Sequence, residues 1–111
     1  GIAESAGKSA SDIRTPSSIS PTNTAINQSI YANLTWDTDV NAENYEVQIS
    51  TNAGFTNIVE SATVSTNSFI SNGLQLDTQY FWRVRPTNRC GQGSYTNPIF
   101  FMACTLALSA L

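Results

Sequence analysis

The residues best suited to chemistry lie in one acidic stretch, where Asp37, Asp39, Asn41 and Glu43 place side-chain oxygens at alternate positions. Two kinds of chemistry use such a pattern. A pair of carboxylates can divide the roles of general acid and general base, and alternating oxygen ligands can surround a calcium ion. Neither set is complete. Asp37 and Asp39 follow closely on an apolar run, where acidic turn residues are ordinary. The calcium pattern has Ala42 where an EF-hand loop needs glycine and Gln48 where it needs a bidentate glutamate. A solvated acidic loop is the plain alternative. The chain contains no histidine, which removes Ser-His-Asp and Cys-His arrangements and the commonest zinc sites. The sequence therefore reads as non-catalytic, with no metal and no cofactor.

The next candidates are aromatic and cationic. In Tyr80-Phe81-Trp82-Arg83-Val84-Arg85, a period of two puts Tyr80, Trp82 and Val84 on one face of a strand and Phe81, Arg83 and Arg85 on the other. Glu46 is expected opposite these arginines on an adjacent strand, a pairing worth under about 1 kcal/mol when exposed. Phe100 and Met102 are expected to share that outer face, which is more apolar surface than a solvated sheet needs. Phe81, Arg83, Arg85, Phe100 and Met102 thus make a candidate docking face for an adjoining domain. Phe55, Phe69 and Tyr95 are candidate ligand-loop aromatics, able to serve polysaccharide or surface binding if their rings form an exposed, coplanar platform.

Cys90 and Cys104 invite a disulfide. With a hairpin turn near Gly93-Ser94, Cys90 is expected beside Thr96 or Asn97 and Cys104 beside Arg83. A bridge needs Cα atoms within about 7 Å, so the two are not expected to pair with each other.

The elements that must position these groups are strands. Pro16, Pro21 and runs of Ser, Thr and Asn break helices, and no segment sustains apolar spacing at three and four residues. Strand character recurs over Ala32 to Asp37, Asn44 to Thr51, Ile58 to Ser65, Ser68 to Ser71, Gln79 to Thr87 and Pro98 to Thr105, separated by turn-rich stretches. An edge segment around Ser17 to Ile26 brings the count to about seven, which suits two packed antiparallel sheets. Trp36, Tyr45, Val47, Ile49, Leu74, Tyr80, Trp82, Val84, Ile99 and Phe101 are the expected core, each contributing roughly 1.5 to 3 kcal/mol on burial before entropy is subtracted.

Composition bounds the rest. A chain of 111 residues with 41% hydrophobic content encloses one core rather than two. Gly1 to Ser11, rich in Gly, Ala and Ser, reads as a flexible leader or linker over residues 1–15. The apolar tail from Ile99 falls short of the ~20 residues of a membrane span, so it reads as a last strand followed by a tail or linker over residues 106–111. With a net charge of -3 and only five Lys and Arg, the chain offers no basic cluster for nucleic acid.

Leu34-Thr35-Trp36, Tyr45-Glu46-Val47-Gln48-Ile49-Ser50, Leu74 six residues before Tyr80, the Tyr80 to Arg85 strand, then Asn88, Cys90-Gly91 and Gly93-Ser94-Tyr95 follow one another in an order and spacing that resembles a fibronectin type III domain. The resemblance covers Pro16 to Thr105 and implies an all-β, seven-stranded antiparallel, immunoglobulin-like sandwich. It also implies a tyrosine corner, in which the Tyr80 hydroxyl donates to a backbone acceptor a few residues upstream. Tyr45 to Phe55, Ile58-Val59 and Trp82 to Gly91 are similar to type III modules attached to secreted Bacteroidetes-type metalloproteases and other exported hydrolases. That likeness implies an accessory module, secreted or at the cell surface, whose partners are neighbouring domains of the same polypeptide. In tandem modules of this kind Cys90 and Cys104 would face cysteines of adjoining domains; free thiols are the alternative. The sequons at Asn27 and Asn33 are taken as chance matches.

Overall fold

A computed structural model describes residues 14–106, so most of the expected leader and nearly all of the expected tail lie outside the described residues. Among the described residues nine strands follow in chain order: β1 (Ile19–Ser20), β2 (Ala25–Ser29), β3 (Asn33–Trp36), β4 (Asn44–Ser50), β5 (Ile58–Val64), β6 (Ser68–Ile70), β7 (Thr78–Asn88), β8 (Gly91–Gln92) and β9 (Ile99–Thr105). One sheet runs β1-β3-β6; the other runs β2-β9-β7-β4-β5, with β8 paired to the end of β7.

The alternation in the sequence is the cause of this arrangement. Tyr45, Val47 and Ile49 of β4, Tyr80, Trp82 and Val84 of β7, and Ile99, Phe101 and Ala103 of β9 are all buried, while Glu46, Gln48, Phe81, Arg83, Arg85, Phe100 and Met102 between and beside them stay half-buried on the outer face. Leu34 and Trp36 of β3 close the core from the smaller sheet. Trp36 meets Trp82 across the sandwich at 6.2 Å between ring centroids and Tyr45 at 5.6 Å, both tilted, the offset arrangement that aromatic quadrupoles favour. All ten residues expected in the core are buried.

Three expectations about the strands need correction. The segment expected as one edge strand is two. After Ser20 the chain leaves β3 and crosses to the larger sheet, where β2 runs parallel to β9, so the sandwich is not wholly antiparallel. The count rises from seven to nine through that split and through the two-residue β8. The hairpin after β7 turns at Arg89 and Cys90, with Asn88 opposite Gly91, rather than near Gly93. The Asn88 side-chain oxygen accepts the Cys90 N–H at 2.8 Å, an Asx turn that fixes the reversal. Gly93 has another task, because a Cβ there would lie 2.9 Å from Pro86 Cγ and its N–H donates to the Pro86 carbonyl at 2.8 Å.

The tyrosine corner is present with the opposite polarity. The Tyr80 hydroxyl accepts from the Gln75 N–H at 2.8 Å. The backbone group upstream is thus a donor, not the acceptor expected from the sequence.

Candidate functional site

The outer face of the larger sheet gathers most of the sequence candidates. β4 and β7 pair so that Glu46 lies opposite Arg85 and Gln48 opposite Arg83. Arg85 Nη2 approaches the Glu46 carboxylate at 2.6 Å and its Nε donates to the same oxygen at 2.7 Å. Arg83 Nε donates to Gln48 Oε1 at 2.8 Å. Of the two arginines Glu46 therefore pairs with Arg85, and Gln48, absent from the sequence candidates, holds Arg83. The period-two spacing of Glu46 and Gln48 against Arg83 and Arg85 was the available signal, needing only the register.

Aromatic rings complete the array. The Arg83 guanidinium carbon lies 4.2 Å from the centre of the Phe55 ring and 3.9 Å from that of Tyr95, and that of Arg85 lies 4.4 Å from Tyr95. Such contacts are worth about 0.5 to 1 kcal/mol each where exposed and more where desolvated. Burial raises the Tyr95 phenol above its ordinary value; Arg85 pulls it down, Glu46 pushes it up, and Arg83 opposes again. Next to this array, Phe81 and Phe100 oppose each other across β7 and β9 with ring centroids 5.5 Å apart. Met102 follows on the same face of β9, opposite Gln79.

The three ligand-loop aromatics are not brought together. Phe55 is buried, held in a left-handed turn (φ 55°) between β4 and β5. Phe69 lies in β6 of the other sheet, opposite Leu34, and packs on the core. Phe69 and Tyr95 are both half-exposed, and the Tyr95 ring is engaged by two guanidinium groups. They form no single exposed plane.

The acidic stretch acts as a fastener. Asp37 Oδ1 accepts the N–H groups of Ser17 and Ser18 at 2.9 and 3.1 Å. Burial pushes the Asp37 carboxyl up, yet these N–H bonds outweigh it and hold the group below its ordinary 3.8. Asp39 Oδ2 accepts the Arg14 N–H at 3.1 Å, and the Asp39 N–H donates to the Tyr45 hydroxyl at 2.8 Å. Glu43 pairs with Arg89 at 3.3 Å, and the Asn41 carbonyl accepts from the Asn88 side chain. The three carboxylates are thus spent on the incoming segment and on the β7–β8 turn rather than converging on one point, and Asn41 joins that turn through its backbone carbonyl. Among the described residues no group of three His, Cys, Asp or Glu is gathered for a metal ion.

Both cysteines are free. Cys90 sits in the β7–β8 turn, whereas Cys104 follows Ala103, which lies opposite Thr78 at the far end of β7. The strand from Thr78 to Asn88 separates them by ~33 Å at about 3.3 Å per residue, beyond the reach of a bridge. Cys104 therefore lies near the start of β7, not beside Arg83 as the earlier turn position implied.

An open cleft of about 540 Å³ lies between the N-terminal segment and the chain leading into β9, lined by Pro16, Ile19, Tyr95, Pro98 and Ile99 among others, with no carboxylate, cysteine or cationic side chain. A shallower groove of about 310 Å³ runs over β4 and β5, where Glu46, Gln48, Ser61, Thr63 and Tyr95 meet.

The family model described as Fibronectin type III domain matches residues 16–102. Among solved structures the chain is similar to the FN1-FN3 domains of chicken CNTN1, with a TM-score of 0.63 and 18% identity, covering 84% of this chain and 33% of that one. It is similar to an Fn3-like protein from Clostridium thermocellum, with a TM-score of 0.59 and 21% identity, over 83% and 97% of the two chains. A Streptomyces avermitilis alpha-L-rhamnosidase also matches, with a TM-score of 0.56 and 16% identity, over 89% of this chain and 11% of that one. No curated protein matches the chain. These identities establish a shared fold and nothing finer.

Proposed function

The chain belongs to the fibronectin type III family, and from that premise we propose that it is a non-catalytic accessory module that spaces, orients or docks domains of a secreted or cell-surface multidomain bacterial protein. An exported hydrolase such as a metalloprotease is the proposed parent. Domains of this family are commonly non-catalytic modules.

The observation that carries the docking role is the outer face of β7 and β9. Phe81, Phe100 and Met102 form a half-buried apolar row beside Arg83 and Arg85, whose side chains are already fixed by Gln48, Glu46, Phe55 and Tyr95. A surface whose rotamers are set before contact loses little entropy on association. Aromatic, methionine and arginine side chains are also those enriched at protein interfaces. A neighbouring domain of the same polypeptide is the partner proposed for it.

Hydroxyl-radical footprinting tests this reading, comparing the isolated chain with the longer polypeptide of its own gene. Oxidation of Met102 and Phe81 is expected to fall several-fold in the longer protein, and equal labelling in both would count against docking. Retention of the isolated chain on insoluble chitin, cellulose or peptidoglycan, lost in Tyr95→Ala, would instead favour a carbohydrate- or surface-binding module.

A further inference from the structure

Every open sheet ends in strands whose outward N–H and C=O groups lack a ladder partner, and proteins normally blunt such edges. Among the described residues three of the four edges are blunted. β1 has two residues and β6 three. β2 is irregular, with register shifts on both sides of Gln28 and a left-handed Asn27 at φ 58°. Its Ile26 carbonyl is covered by the Gln28 side chain at 2.9 Å. β5 differs. It has seven residues, pairs only with β4 among the described residues, and contains no proline, lysine or arginine. Its one charge, Glu60, is engaged by the Asn72 N–H, which lies 2.9 Å from each carboxylate oxygen. Ile58 and Val59 beside it are 41% and 45% exposed.

We propose that the free edge of β5 pairs with β5 of a second copy of this chain, antiparallel about a two-fold axis at Ala62, joining the two larger sheets into one. The proposal concerns the sheet's edge and stands apart from the docking role of its face.

The register follows from three constraints. Residues directly opposed in a continuous sheet share a face, so the axis must pass through a residue position. The regular part of β5 is Glu60–Val64, opposite Ile49 back to Tyr45, because the ladder slips between Ile49 and Ser50. Centring on Ala62 uses all five regular residues of each copy. It sets Glu60 against Val64 of the second copy and Ser61 against its Thr63. An axis at Glu60 would place two carboxylates face to face, which is unfavourable. On the outer face the Ser61 and Thr63 hydroxyls, both exposed, make a cross-strand pair of the kind that hydrogen-bonds. A five-residue ladder is a small interface, so the dimer is weak and concentration-dependent. The net charge of -3 on each copy opposes it at low ionic strength, so added salt strengthens it.

Sedimentation velocity of the chain up to about 1 mM tests the proposal, since a millimolar Kd still populates a dimer there. The wild type is expected to shift from monomer toward dimer with concentration, and more so in salt. Ser61→Lys/Thr63→Lys and Ser61→Glu/Thr63→Glu each place like charges across the axis, and each is expected to stay monomeric and folded, with a cooperative thermal transition; the Glu variant melts somewhat lower because Thr63 also lies opposite Glu46 within the chain. An equimolar mixture of the two is expected to dimerise at least as well as the wild type. Charge-swapped rescue of this kind depends on direct opposition across the edge and not on folding. A mixture that stays monomeric overturns the proposal, as do single variants that dimerise like the wild type. A wild type that is monomeric at 1 mM also overturns it and leaves an extended strand of another protein as the occupant of the edge.

Discussion

Replacing Tyr80 by Phe removes one oxygen from the core and leaves everything else in place. The Tyr80 ring is buried and stacks on Phe101 with centroids 5.9 Å apart, and Phe preserves that contact. What is lost is the acceptor for the Gln75 N–H, 2.8 Å away. A net hydrogen bond is worth about 0.5 to 1.5 kcal/mol, and a buried donor left unpaired costs about 1 to 3. Gln75 is itself exposed, so water can recover part of the loss, and the expected cost is about 1 to 2 kcal/mol. Urea unfolding followed by tryptophan fluorescence is the assay, because Trp36 and Trp82 sit in the centre of the core and report global unfolding. With a slope of about 1 to 3 kcal/mol per molar, the midpoint should fall by about 0.5 to 1 M with the slope unchanged. Tyr45→Phe is the parallel case, since its hydroxyl accepts the Asp39 N–H at 2.8 Å, and it should lose a similar amount. A midpoint within about 0.1 M of wild type for Tyr80→Phe would refute the argument that this hydroxyl fixes the turn before β7.

Arg83→Met keeps the apolar stem but deletes the charge held by Phe55, Tyr95 and Gln48. It is expected to cost about 1 kcal/mol in the same urea assay and to increase motion of the Tyr95 ring in NMR line shapes. Gly93→Ala forces a Cβ to within 2.9 Å of Pro86 Cγ and is expected to lower the thermal midpoint by several degrees, as a strain of about 1 kcal/mol does in a domain of this size. Asp37 has a folded pKa below its ordinary 3.8. Its stabilising contribution is therefore full above that value and is lost as pH falls through the lower folded one. Asp37→Asn should accordingly reduce stability at neutral pH and flatten the acid limb of a pH titration of the thermal midpoint below about pH 4.

What the sequence revealed was whatever a period of two determines locally. Tyr45, Val47 and Ile49 had to share a face, as did Tyr80, Trp82 and Val84, and burying those faces together left few ways to pack two sheets. The outer grouping of Phe81, Arg83, Arg85, Phe100 and Met102 followed from the same parity. What stayed hidden depends on contacts that leave no periodic trace. β2 carries a single large apolar side chain, Ile26, and that one is 64% exposed, so nothing in its pattern announces a parallel ladder with β9. Phe55 reads as a loop aromatic because its neighbours are Gly54 and Thr56. It is buried because the Asn52 side chain accepts the N–H groups of Thr56 and Asn57 and folds the turn over Arg83. Gly93-Ser94 looks more like a turn than Arg89-Cys90, yet the glycine answers to Pro86 and the reversal to Asn88.

The same contacts bear on the docking role proposed for the outer face. A strand surface covered by arginine would ordinarily be mobile, since each long side chain loses up to about 2 kcal/mol of rotamer entropy when held. Here that entropy is lost on folding, because Gln48 and Glu46 fix the two guanidinium groups from β4 while Phe55 and Tyr95 cover them from the loops at either end. The anchors come from two strands and two connections that are far apart in sequence. The proposed partner, meeting Phe81, Phe100 and Met102, would find charged neighbours already in position, and their rigidity rests on the register of β4 against β7. A one-residue slip there would move the arginines to the core face and the tryptophan to solvent, so the face and the core are specified by a single alignment.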